Sequence, residues 1–212
     1  MLKVVEKESI ASLRKRMDSA GCVFKFVVLS PESEIEAAES MHRHALIELH
    51  ELLMIEAMEW HENLTKDPKY KDHPEPLISW DLDNAIATPL SRDEVRSLTS
   101  TDKTDIFERL ALYACFVNPP YRAQFKKGKT EAQSVFLEWC ELLGLNEIDD
   151  VSVVNWVEGL NTGLHGYDEK ISSVESWSNY FDVGLEWWGV WCLTIWSPKR
   201  RTISALIAST TD

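Results

Sequence analysis

The fold is decided by residues 186–209, which read EWWGVWCLTIWSPKRRTISALIAS. Two apolar segments rich in aromatic and β-branched residues, 186–196 and 202–209, are separated by the polar link SPKRR. Apolar runs that are joined by a short polar turn predict a β-hairpin. We therefore expect the C-terminal part of the chain to form two neighbouring strands of an antiparallel sheet.

Both faces of this hairpin carry tryptophan. Because side chains alternate along a strand, Trp188 and Trp196 are expected on one face. Trp187 and Trp191 fall on the other face. One apolar face can cover the core. The other has to be buried by helices of the chain, by a second copy in a homodimer or by a ligand.

The rest of the chain reads as one more strand and several helices. Residues 22–30 alternate Phe24, Phe26 and Val28 and end at Pro31, which indicates a strand. Periodic apolar residues predict helices at 7–19, 32–64, 131–143, 149–160 and 172–181, with a helix cap at 91–94 and an apolar face at 105–114. The predicted fold class is α+β, predominantly helical, with a small antiparallel sheet that includes the C-terminal hairpin.

A connection at residues 65–90 divides the chain. It contains Pro68, Pro74, Pro76 and Pro89, which disfavour regular structure. The chain of 212 residues suits a single α+β domain. Two lobes, 1–64 and 91–212, joined by this connection, are the alternative. Ile78, Trp80 and Leu82 within it are expected to pack.

Composition restricts the function. The net charge is −13 and the isoelectric point is about 4.9, so direct nucleic-acid binding is not expected. No apolar run reaches 18 residues and the N-terminus has no apolar signal-peptide core, so we expect a cytoplasmic protein without a membrane segment. The four cysteines stand apart among apolar neighbours and are expected to be buried thiols. No cofactor is predicted.

Charge is unevenly distributed along the chain, and residues 32–64 form its most acidic helical segment. This segment holds nine Glu, one Arg and no Lys. At 100° per residue one stripe of the predicted helix buries Leu46, Leu49, Leu53 and Trp60, and the opposite side presents a carboxylate row of Glu48, Glu51, Glu59 and Glu62. A long acidic helix can bind a basic partner. The function predicted first is therefore non-enzymatic: an inhibitor or adaptor of a basic, nucleic-acid-handling protein.

The first enzyme alternative rests on AQFKKGKT, residues 123–130. This stretch fits a relaxed Walker A pattern, with Gly128, Lys129 and Thr130 directly before a predicted helix. In a P-loop the backbone N–H groups surround the phosphates, the lysine reaches the outer phosphate and the threonine binds magnesium. The loop interior lacks glycine and no Walker B segment is present, so a nucleotide-binding enzyme remains the alternative.

A second enzyme alternative comes from Asn118-Pro119-Pro120-Tyr121. This tetrapeptide resembles the motif of amino-methylating DNA methyltransferases. The resemblance implies that Asn118 and the Pro119 carbonyl accept hydrogen bonds from the target amino group, while Tyr121 stacks on the extruded base. It also requires a strand, here residues 110–117, and a Gly-rich cofactor loop. The nearest candidate for that loop, residues 159–166, comes after the tetrapeptide and follows a predicted helix.

Histidine and glutamate also suggest a metal site on the 32–64 helix. The pairs at one-turn spacing are Glu39 with His42 and His44 with Glu48. They point to opposite faces, so they cannot share an ion. His42 falls on the apolar stripe and is expected to be a packed, hydrogen-bonded residue of the core or of the helix start. No metal is predicted, and whether His44 and Glu48 join a site with other ligands stays open.

Overall fold

The computed structural model describes residues 2–32, 38–121, 123–158, 160, 176–184 and 189–210. Its helices are α1 (Glu8–Ser19), α2 (Glu39–Leu64), α3 (Arg92–Thr99), α4 (Leu112–Val117) and α5 (Lys129–Leu143). Its strands are β1 (Leu2–Val4), β2 (Lys25–Pro31), β3 (Thr88–Pro89), β4 (Ser152–Asn155), β5 (Val190–Ser197) and β6 (Thr202–Ser209). Short 3₁₀ helices lie at Pro68–Tyr70, Leu82–Asn84 and Asn179–Phe181.

The predicted hairpin is the centre of the sheet. β5 and β6 pair antiparallel from Val190↔Ser209 to Ser197↔Thr202. All six strands form one antiparallel sheet in the order β1-β2-β6-β5-β4-β3. The predicted α+β class and the C-terminal hairpin are confirmed, but the sheet is larger than the three strands that the sequence indicated.

The chain's own helices cover both faces of the hairpin. Trp191 lies in the core that α1, α3, α4 and α5 form on one side of the sheet. Trp196 lies in a second core, which α2 forms on the other side. Both side chains are buried. Trp187 and Trp188 lie outside the described residues.

The prediction of a helix at 149–160 is wrong. Residues Ser152–Asn155 form β4, which pairs with β5. Val153 and Val154 are buried on opposite faces of the sheet, as the alternation of a two-sided strand requires. Asp149 and Asp150 look like helix caps, but the β-branched pair that follows favours a strand. The predicted helix at 172–181 lies partly outside the described residues, and its described end is the short 3₁₀ helix.

Two helix boundaries also differ from prediction. The predicted 32–64 helix begins at Glu39, and residues 33–37 lie outside the described part. Residues 105–110 form turns rather than a helix, and α4 begins only at Leu112. The cap at 91–94 is confirmed, because Ser91 and Glu94 form a reciprocal capping box at the start of α3.

Strands from both sides of the 65–90 connection share the sheet. β2 precedes the connection and pairs with β6, which follows it. Within the connection, Ile78, Trp80 and Leu82 pack against the core beneath α2, as expected. The connection therefore lies on the same side of the sheet as α2.

All four cysteines are buried, as predicted. Burial raises the pKa of Cys22, Cys115 and Cys140 to about 12 and raises the pKa of Cys192 as well. These thiols are therefore protonated at neutral pH and poor nucleophiles. In the described part of the chain, no helix combines the length and the apolar character needed to cross a membrane.

Candidate binding surface

The inner face of α2 is fixed in the core. Leu46 and Leu49 are fully buried and Leu53 nearly so, against β2, β5 and β6. His42 is also buried, and its Nδ1 lies 2.8 Å from the Thr194 hydroxyl on β5. The same hydroxyl accepts a 2.8 Å hydrogen bond from the Trp156 indole. The prediction of a hydrogen-bonded core histidine is confirmed.

Burial changes the acid–base behaviour of His42. Desolvation lowers the pKa of its imidazole from 6.5 to about 4, and the nearby Glu39 opposes this shift only in part. The imidazole is therefore neutral at physiological pH. Together with Leu46, Leu49 and Leu53 it belongs to the inner face of α2, and the opposite face of the helix therefore points outward.

The outer side of α2 presents the predicted carboxylate row. Glu51, Glu59 and Glu62 are exposed. Glu48 is only partly exposed, because its carboxylate lies 3.4 Å from Nε2 of His44 one turn earlier. The row extends over ~21 Å from the first to the last of these residues, at 1.5 Å per residue. We call Glu48, Glu51, Glu59 and Glu62, together with Ile55 between them, the acidic face.

Ion pairs separate the remaining glutamates of α2 from this surface. Glu39 binds Arg43 at 2.7 Å, and Glu56 binds Lys25 of β2 at 3.0 Å. Arg43 also donates hydrogen bonds to the carbonyls of Leu82 and Ala85. By contrast, the carboxylates of Glu51, Glu59 and Glu62 pair with no cation that the structure describes.

Exposed isoleucine interrupts the carboxylate row. Ile55 is 57% exposed and lies one turn after Glu51 and one turn before Glu59. Ile47, 43% exposed, lies one turn before Glu51. Single exposed apolar residues are common on protein surfaces, but two of them beside unpaired carboxylates make a surface that is both acidic and apolar. Sequence reasoning missed both residues, although their spacing from the row was readable.

The prediction that Trp60 is buried is wrong. Its side chain is 56% exposed, and it contacts only His73 edge-on among the aromatic residues described. Trp60 is exposed because α2 is longer than the strands beneath it. The 26 residues of α2 extend over ~39 Å, whereas the eight-residue strands extend over ~26 Å. The last turns of α2 project beyond the sheet, and their inner side has no strands to meet.

The 65–90 connection packs beside α2 and widens the surface. His50 of α2 lies 3.0 Å from the Ile78 carbonyl and stacks on Trp80 at 4.9 Å between ring centres. A groove of about 460 Å³ opens between α2 and residues 80–83. Asp81 and Asp83 contribute further exposed carboxylates to its wall, opposite Ile47.

Among the described residues, no candidate metal centre adjoins this surface. His44 and Glu48 contact each other, but no third ligand joins them within the ranges that the structure describes. Across the described residues, the structure contains no group of three or more His, Cys, Asp or Glu side chains that could hold a metal ion. The Glu39–His42 pair and the His44–Glu48 pair point apart as expected, since His42 is buried against Thr194 and His44 is partly exposed.

The surroundings of Asn118-Pro119-Pro120-Tyr121 differ from those in the methyltransferases. The segment before it is helix α4, so the strand that the motif requires is absent from 110–117. Asn118 uses its amide to donate a 2.8 Å hydrogen bond to the Ala114 carbonyl, which ends the helix. Both prolines are buried, and Tyr121 is 68% exposed with a positive φ of 59°. The glycine-rich candidate at 159–166 lies outside the described residues except for Leu160.

The Walker-like stretch, which the structure describes throughout residues 123–130, does not form a P-loop. Gly128 directly precedes α5, and Lys129 and Thr130 begin that helix. However, the stretch follows turns rather than a strand. The Lys127 N–H, which would face a phosphate in a P-loop, donates a 2.8 Å hydrogen bond to the carboxylate of Glu131.

Comparison of the chain with protein-family models, with curated proteins and with solved structures finds no significant match.

Proposed function

We propose that this chain is a non-enzymatic binding protein whose acidic face holds a basic partner protein, as an inhibitor or adaptor of a nucleic-acid-handling protein. The observation that carries the proposal is the set of unpaired, exposed carboxylates of Glu51, Glu59 and Glu62 on a helix whose other side is fixed in the core. Because their position is fixed by packing, they present a constant pattern of charge to a partner.

The apolar residues of the surface narrow the kind of partner. Ile55 within the row and Ile47 at the groove offer contact area that a purely charged ligand would not use. The matching partner segment carries Lys or Arg beside exposed apolar side chains. Carboxylates would attract it over long distances and speed association, while the isoleucines would slow dissociation. A basic surface that binds nucleic acid would be blocked by such an interaction.

The proposal is tested by capture from cell lysate with three forms of the chain. The first is wild type and the second reverses the row with Glu48→Lys, Glu51→Lys, Glu59→Lys and Glu62→Lys. The third reverses four exposed carboxylates elsewhere, which changes the net charge equally: Glu32→Lys, Asp102→Lys, Asp150→Lys and Asp182→Lys.

Wild type and the third form should retain the same basic proteins, and the second should lose them. Equal thermal melting of the three forms would establish that each is folded. If all three forms retain identical proteins, the acidic face is only a solvated surface and the proposal is wrong.

A further inference from the structure

A second charged feature lies on the opposite side of the sheet, between α1 and the start of α5. It is a cavity of about 230 Å³. Its basic wall residues are Lys15 and Arg16 of α1 and Lys126 of the loop that precedes α5. Ser12, Ser19 and Glu131 also line it. The chain brings these cations together from segments more than 100 residues apart in a molecule whose net charge is −13.

The two lysines of this wall lack ion-pair partners within the described residues. Lys15 and Lys126 are exposed and form no ion pair with any other residue in the described ranges. Arg16 is partly exposed and binds Glu138 through Nη2 at 2.5 Å. Lys15 and Lys126 are therefore the cations of this wall whose charge no ion pair in the described structure offsets.

We infer that this cavity is a binding site for a small anion that carries phosphate. Two ammonium groups, a guanidinium and the Ser12 hydroxyl match the oxygens of a phosphate group in charge and in hydrogen bonding, whereas the Ser19 hydroxyl already donates to the Lys15 carbonyl. The volume is smaller than the roughly 300–1,000 Å³ of most sites for organic ligands, so it suits a phosphate or pyrophosphate better than a whole nucleotide. The site is independent of the acidic face.

The geometry differs from that of a P-loop although both use the same stretch of sequence. The backbone N–H of Lys127 is occupied by Glu131, so side chains rather than backbone groups bind the anion. Glu131 itself repels an anion, because its carboxylate lies in the wall of the cavity. The proposed site therefore needs no magnesium, and magnesium should weaken binding because it competes for the phosphate oxygens.

Calorimetric titration of the whole chain with inorganic pyrophosphate tests the site. Lys15→Gln and Lys126→Gln should each weaken binding about tenfold, as expected for the loss of one charge-assisted hydrogen bond. Glu131→Gln should strengthen binding severalfold, since it removes a repelling charge while glutamine keeps the hydrogen bond to Lys127. Lys71→Gln, an exposed lysine on the far side of the molecule, is the matched control and should leave affinity unchanged.

Each outcome decides the proposal. Saturable one-to-one binding with opposite effects of the Lys15 and Glu131 changes supports it. Absence of saturable binding contradicts it, and so does equal weakening by Lys71→Gln, since that would indicate only non-specific attraction. Two further titrations compare ATP with tripolyphosphate. Equal affinities are expected, and ATP binding more than tenfold tighter would show that the site recognises a nucleotide instead.

Discussion

The behaviour of α2 depends on single residues at its start. Thr194 supplies a hydrogen-bond partner that compensates the burial of His42, which lies on the same inner face as Leu46 and Leu49. The position of His42 on the apolar stripe was predictable from spacing. The ion pairs of Glu48 and Glu56 differ in whether the sequence could predict them. Glu48 pairs within its own helix, but Glu56 pairs with Lys25, 31 positions away in the chain, which no local pattern reveals.

His42 should make stability depend on pH. In the folded chain its pKa is about 4, and in the unfolded chain it returns to about 6.5. As pH falls, the unfolded chain therefore binds the proton before the folded chain does. The free energy of unfolding is not reduced by His42 above pH 6.5, and it decreases as the pH falls from 6.5 towards 4. Between pH 7 and pH 4.5 wild type should lose about 2–3 kcal/mol more than His42→Gln, which does not titrate.

Urea unfolding of wild type and His42→Gln at several pH values measures this difference. The carboxylates titrate in both proteins, so their contribution cancels in the comparison. Parallel stability curves for the two proteins would show that the imidazole is not desolvated as the structure indicates.

At the scale of elements, strands were harder to predict than helices. The hairpin carried two apolar segments joined by a polar turn and β2 carried an alternating pattern, while α1 and α5 carried a helical period and α3 a helix cap. β1 and β3 have three and two residues, too few for a pattern, and they form only because β2 and β4 offer free edges. β4 was mistaken for a helix because two aspartates precede it.

Because the last turns of α2 project beyond the sheet, Leu53 and Trp60 of the same predicted stripe should contribute differently to stability. Leu53→Ala removes a side chain that is 4% exposed, and should destabilise the fold by about 2–5 kcal/mol. Trp60→Ala removes a larger side chain, but one that lies beyond the sheet, and should lower the free energy of unfolding by less than about 1 kcal/mol. Urea unfolding of both variants is the measurement. Similar losses for the two would place Trp60 in the core after all.

The hairpin itself should be indispensable. β6 pairs with β2 and β5 pairs with β4, so removal of residues 186–212 separates the two outer pairs of strands and exposes both cores. The truncated chain should show no cooperative thermal transition, and its near-ultraviolet circular dichroism should be lost. A truncated chain with unchanged melting behaviour would contradict the sheet order.

At the scale of the whole molecule, the acidic surface and the basic cavity lie on opposite sides of the sheet. The acidic face lies on the side of α2, and the cationic cavity lies on the side of α1 and α5. The sequence predicted the acidic row because one helix holds all of it. It could not predict the cavity, because Lys15 and Lys126 meet only after folding. It also could not show that the helix extends past the sheet and leaves Trp60 exposed.

The central claim is that α2 binds a basic protein through its acidic face, and the most direct measurement is the affinity of a captured partner at low and high salt. For wild type and the control with four reversals elsewhere, affinity should fall at least tenfold between about 50 and 500 mM salt, because screening weakens exposed charge pairs. The form with all four glutamates of the row reversed should not bind at either concentration. Binding by that form with wild-type affinity, insensitive to salt, would contradict the account.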